Sequence, residues 1–229
     1  ACVQAAEVIS WSARNDGFLA LNADTIGSPD GTFAIRDLDG DGVLEIEISR
    51  RGISTDPALG PPRSSTTIWD WNGLNYVRAT TQLDPPVYRI HLIHDADRAF
   101  EAGDYGGALT LYRESLENAR LGTWQLENEA VMLRGYTLYR MLLALVVLQD
   151  DVAESYYRTL VEENAPGTPG DSYLVMADAL WRTWQTSGDL HEACAAVQDA
   201  VRLNPQGLLF LNSYGPANRS YDIVEMCPF

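Results

Sequence analysis

The hydrophobic period of this chain changes at Leu83-Asp84-Pro85-Pro86, and no single layer of secondary structure carries both periods. Before that point apolar residues alternate. Leu44, Ile46 and Ile48 interleave with Glu45, Glu47 and Ser49, the pattern of a strand with one wet face. After it, apolar residues recur three and four apart, the pattern of amphipathic helices. Two successive prolines cannot continue a helix and favour an extended linker. The chain of 229 residues is therefore expected to be α+β. A small antiparallel β domain occupies 1–84, and an all-α domain of helical hairpins occupies 85–229.

Within the first part, strands are predicted over 17–21, 32–35, 44–48, 66–71 and 75–79. Ser28-Pro29-Asp30-Gly31 reads as a turn, and Asn72-Gly73 is a strong hairpin signal. Helices are predicted over 90–102, 105–119, 127–148, 152–163, 172–186 and 190–203. The last 25 residues, rich in Pro and Gly, are expected to be ordered but irregular.

The chemical signature is Asp37-Leu38-Asp39-Gly40-Asp41-Gly42-Val43-Leu44-Glu45. Carboxylates at alternate places let a loop wrap its oxygens around one hard cation, with Gly42 allowing the sharp turn. The assigned ligands are the side chains of Asp37, Asp39, Asp41 and Glu45 and the backbone carbonyl of Val43. Converging carboxylates repel one another without a cation, and an all-oxygen set selects Ca²⁺ over Zn²⁺. Ile48 stands where an EF-hand would place its bidentate Glu, so this is a shorter loop. It resembles the calcium loops of dockerins and of the FG-GAP repeats of integrin α chains. The strand that follows, and Trp69-Asp70-Trp71-Asn72-Gly73, look like FG-GAP-related modules of bacterial surface proteins. The resemblance spans about residues 15–80 and implies a calcium-stabilised β module.

The helical part carries an internal repeat. Ala96, Ala99, Gly103-Asp104-Tyr105, Ala108, Tyr112 and Leu116 form one copy. Trp181, Trp184, Gly188-Asp189-Leu190, Ala193, Val197, Ala200 and Leu203-Asn204-Pro205 form another. A degenerate copy lies between them, with Met141, Ala144, Asp150-Asp151, Ala153, Tyr157 and Leu160, and no Gly before its Asp pair. This resembles the tetratricopeptide repeat over roughly 88–205. The glycine accepts the left-handed turn, the alanines admit close helix approach, and the proline ends the unit. The resemblance implies a solenoid that binds proteins and is not itself a catalyst. Trp181 and Trp184 are read as packing residues. The competing reading is an ordinary helical bundle.

Charge narrows the function. Acidic side chains number 32 against 16 basic ones, a net of −16, and every cation is Arg. The chain thus has no lysine for a Schiff base or a P-loop, and its charge argues against nucleic acid. No uninterrupted apolar run approaches a membrane span; the longest covers 141–148. Ala1-Cys2-Val3-Gln4 suits a processed start, so an extracellular or cell-surface location in a bacterium is expected, after removal of a signal peptide. Cys194 and Cys227 could then pair, leaving Cys2 for an intermolecular disulfide or a lipid. Asn218-Arg219-Ser220 is a glycosylation sequon, and Ser64, Ser65, Thr66 and Thr67 sit in a hydroxyl-rich stretch that could accept O-linked sugar. His91 and His94, three apart beside Asp95, make an incomplete metal set, and no nucleophilic triad is visible. The expected function is a non-enzymatic, calcium-stabilised exported protein that assembles with copies of itself into an oligomer or filament. A lipid-anchored protein binding a peptide in the repeat groove is the alternative, and a glycan hydrolase is a third.

Overall fold

The computed structural model describes residues 4–28, 31–52 and 56–229; Cys2 and the Pro29-Asp30 part of the expected turn lie outside them. The chain is α+β, with antiparallel strands first and helices after. It divides into two compact units, Ala1–Thr55 with Pro62–Pro85, and Asp56–Pro61 with Pro86–Phe229. The helical unit thus takes six residues out of the loop between two strands of the β unit.

The β unit contains β1 (Gln4–Ala6), β2 (Ile9–Ser12), β3 (Gly17–Ala20), β4 (Ile26–Ser28), β5 (Gly31–Arg36), β6 (Glu45–Arg50), β7 (Ser65–Trp71) and β8 (Tyr76–Leu83). Its sheet runs β5-β6-β7-β8, every pair antiparallel. Register places Ile46 opposite Trp69 and Ile48 opposite Thr67, so one face of the alternating pattern is shared by neighbouring strands. Ile26, Ile46, Ile48 and Trp69 form the core, with Ala6, Val8, Phe33 and Tyr76 packed against it. The residues between β7 and β8 make a four-residue turn in which Asn72 Oδ1 accepts from the N–H groups of Leu74 and Asn75. β1 is paired within the chain. It pairs with β4 of its own chain, as Ala6 and Val8 join the apolar cluster around Ile26.

The helical unit contains α1 (Arg89–Glu101), α2 (Tyr105–Glu117), α3 (Glu129–Val147), α4 (Ala153–Glu163), α5 (Asp171–Ser187), α6 (Leu190–Leu203), α7 (Gln206–Leu211) and α8 (Ile223–Met226). The first six pack as successive pairs, α1 on α2, α3 on α4 and α5 on α6, with α3 also against α2 and α5. Each pair turn holds one left-handed residue. Gly103, Gln149 and Gly188 all have positive φ, at +80°, +54° and +66°. Each is followed by an Asp. Asp104 and Asp189 cap the next helix, accepting from the N–H groups of Gly107 and of His191 and Glu192, while Asp150 accepts from the N–H of Val152, just before α4 begins. The middle turn therefore holds its left-handed residue without a glycine and starts its second helix without an Asp cap. Of the alanines in the repeat, Ala96, Ala108, Ala144, Ala153 and Ala193 are buried, and Ala99 and Ala200 are half-buried. By length and mean hydropathy, α3 could cross a membrane, but 78 % of its most apolar window is buried in this unit, as befits a core helix.

The tail is more regular than its Pro and Gly content predicts. Asp222 and Glu225 form a reciprocal capping box that starts α8. Tyr214, Tyr221, Met226 and Cys227 are buried in the helical core.

Candidate metal centre

The acidic loop joins β5 to β6, and the pairing of Arg36 with Glu45 closes its neck. Gly40 and Gly42 have φ near +84°, where a side chain is strained, and they fold the loop over on itself. The loop is held by its own acids. Asp37 accepts from the N–H groups of Gly40 (2.6 Å) and Gly42 (3.1 Å), and Asp39 from that of Asp41 (3.1 Å). Glu45 is unlike the others. It is only 3 % exposed; Oε2 accepts from the Leu38 N–H, while Oε1 is buried with no hydrogen-bond partner among the described residues. Tyr76 pins the end of the loop by donating its hydroxyl to the Leu44 carbonyl at 2.8 Å. Burial, then the charges of Glu45 and Asp70, hold the Tyr76 phenol above its ordinary pKa.

Oxygens of Asp37, Asp39 and Glu45 lie within 4.8 Å of one another. At that separation each pair of charges repels by about 3 kcal/mol at an effective dielectric of 20, less what solvent screens at the two exposed Asp residues. Of the four sequence-assigned carboxylates, these three converge. Asp41 stands outside the group, its carboxylate taken by the Val43 N–H at 2.7 Å. The donor set is oxygen only, with two solvent-facing carboxylates and one buried one, and it fits a hard divalent cation.

Cys194 and Cys227 are joined by a disulfide that ties the tail to α6. His91 and His94 are both buried and do not form a metal group with Asp95 among the described residues. His91 Nε2 meets the Pro61 carbonyl at 2.8 Å, and His94 packs on the Tyr221 ring. Burial, opposed by Asp97 and assisted by the charges around it, lowers His94 to a pKa of about 4. The hydroxyl stretch is not an open loop over its second half. Ser65, Thr66 and Thr67 lie in β7, an inner strand, where Thr66 meets Ser49 and Thr67 meets Thr81; Ser64 donates to the Arg51 carbonyl. Asn218 is half-buried, and its amide donates to the Tyr214 carbonyl.

Sequence reading missed one polar centre, deep in the helical unit. Asp97, fully buried, accepts from the hydroxyls of Tyr112, Tyr136 and Tyr221. It also pairs with the buried Arg140 guanidinium at 3.2 Å, and Arg140 in turn lies over the Phe100 ring and donates to the Glu225 carbonyl. A signal was present. Asp97 falls on the apolar stripe of Ile93, Ala96 and Phe100, and Arg140 sits inside the apolar run of α3. A charge there is buried and needs a partner. Burial raises all three phenols well above their ordinary range.

Compared with protein-family models, with curated proteins and with solved structures, the chain matches none.

Proposed function

We propose that this chain is a non-enzymatic exported scaffold, its β unit stabilised by one calcium ion and its helical unit a solenoid of tetratricopeptide type, assembling with further copies of itself. The observation that carries the calcium reading is Glu45: a buried carboxylate oxygen with no hydrogen-bond partner among the described residues, beside Asp37 and Asp39. Leaving such an atom unsatisfied costs about 1–3 kcal/mol or more, and a cation removes that cost together with the mutual repulsion. Two features support the assembly reading. The β2–β3 hairpin presents Trp11 (54 % exposed) and Phe18 (68 %), in edge-to-face contact at 5.2 Å, with Ile9 beside them. Exposed apolar patches of this kind mark interaction sites. In the helical unit, the chain's own tail lies against α1, α3 and α6 through Tyr221, Glu225 and Cys227. That face is filled from within, which favours assembly through other surfaces over capture of a peptide there.

Calorimetric titration with CaCl₂ tests the calcium reading. One site is expected, weakened at least tenfold by Glu45→Gln; the same affinity for both proteins would refute it. Light scattering with and without calcium tests assembly, and a strictly monomeric chain in millimolar calcium overturns it.

A further inference from the structure

A cavity of about 370 Å³ opens in the helical unit where the end of α3 and the start of α4 meet α5. Its lining combines two chemistries. Trp181 and Trp184, one helical turn apart on α5, supply indole surface, and Leu145 an apolar floor. Asp150, Asp151 and Glu154 supply carboxylates, and no Arg or His is among the lining residues. The aromatic wall is held in place: Trp181 stacks on Tyr157 at 5.6 Å, and the Tyr157 hydroxyl donates to Asp178 at 2.6 Å.

The three acids are not equivalent. Glu154 pairs with Arg158 on the surface of α4, and one oxygen of Asp150 takes the Val152 N–H. Asp151 has no hydrogen bond or ion pair among the described residues. An indole face attracts a cation through its quadrupole, and a carboxylate adds a full charge. Neither attracts an anion, and a neutral sugar would gain little from Asp151. The volume accepts one trimethylammonium or guanidinium group with room to spare.

We propose that this cavity binds an organic cation, a guanidinium or alkylammonium group, against Trp181 and Trp184, with Asp151 as its counter-charge. This goes beyond the calcium and assembly reading and does not depend on it. All cations of the chain itself are Arg, so an occupant supplied by a second copy would be a guanidinium.

The test is a titration of the full-length protein, followed through the assigned indole N–H resonances of Trp181 and Trp184. The probes are choline, its neutral isostere 3,3-dimethyl-1-butanol, and a blocked arginine tripeptide. Saturable shifts with choline, with the tripeptide or with both are expected, and which of them saturates tells a free small cation from a side chain. Asp151→Asn, an exposed change that leaves the fold intact, is expected to weaken binding about fivefold, the worth of one exposed charge pair. Trp184→Phe, which keeps a smaller aromatic, is expected to weaken it less. Equal shifts with the neutral isostere, an unchanged titration in Asp151→Asn, or no saturation up to roughly 50 mM, where a desolvated cation–π contact already registers, would overturn the proposal.

Discussion

Single residues show where the fold overrides local preference. Gln149 occupies the left-handed position that Gly103 and Gly188 fill in the other two turns. A side chain there costs about 1 kcal/mol, and the packing of α3 on α4 supplies it. Gln149→Gly is therefore expected to stabilise the helical unit by about 0.5–1 kcal/mol in urea unfolding; a loss of stability would show that the Gln side chain does something the turn alone does not. His94 works in the opposite sense. It is buried and neutral, facing Asp97, His91, Arg98 and Arg219 and packed on Tyr221. Its pKa is about 4 in the fold against 6.5 unfolded, so the unfolded chain binds the proton first. Its contribution is whole above pH 6.5 and is lost as pH falls to 4, about 3 kcal/mol across that window. His94→Leu is expected to flatten the pH dependence of unfolding between those values, and an unchanged slope would assign it to other groups.

At the scale of elements, the tail is an integral part of the helical core. It is tied by the disulfide, by Tyr139 donating to the Met226 carbonyl, by Gln198 donating to the Cys227 carbonyl, and by Tyr221 reaching Asp97. The disulfide spans a sequence separation of 33. Closing a loop of that length removes about 3–4 kcal/mol of unfolded-chain entropy. The double change Cys194→Ala with Cys227→Ala is expected to lower stability by about that amount while leaving α1 to α6 helical by circular dichroism. Loss of helix signal would show that the tail is needed to form the hairpins and not only to cover them. The repeat's periodicity announced those six helices to within a few residues. The tail's packing was hidden because α8 is one turn long, too short for a period, and its burial depends on partners far away in the chain.

For the whole molecule, calcium and the two compact units make a further expectation. A ligand at ten times its Kd stabilises the state that binds it by about 1.4 kcal/mol. Chelation is expected to lower the melting temperature of the β unit and leave that of the helical unit unchanged, as the acidic loop belongs to the first alone. Equal shifts of both transitions in calorimetry would mean that the ion acts elsewhere. The loop itself was legible, since Asp37 to Glu45 puts its acids close together in sequence. That Glu45 is buried while Asp37 and Asp39 face solvent was not, because the difference arises from the sheet that Glu45 enters and the loop does not.

The sequence alone determined the order of the layers, strands then helices, because the periods of two and of three to four are properties of local backbone geometry. It also determined where the first and third pairs of helices turn, because Gly103 and Gly188 accept the left-handed position and the Asp after each caps the next helix. Only the tertiary structure decided which partners the buried charges find, how Gln149 came to be left-handed, and that the loop residues Asp56–Pro61 join the helical unit. Those outcomes rest on contacts between residues distant in the chain, whose burial energies outweigh a local preference of about 1 kcal/mol.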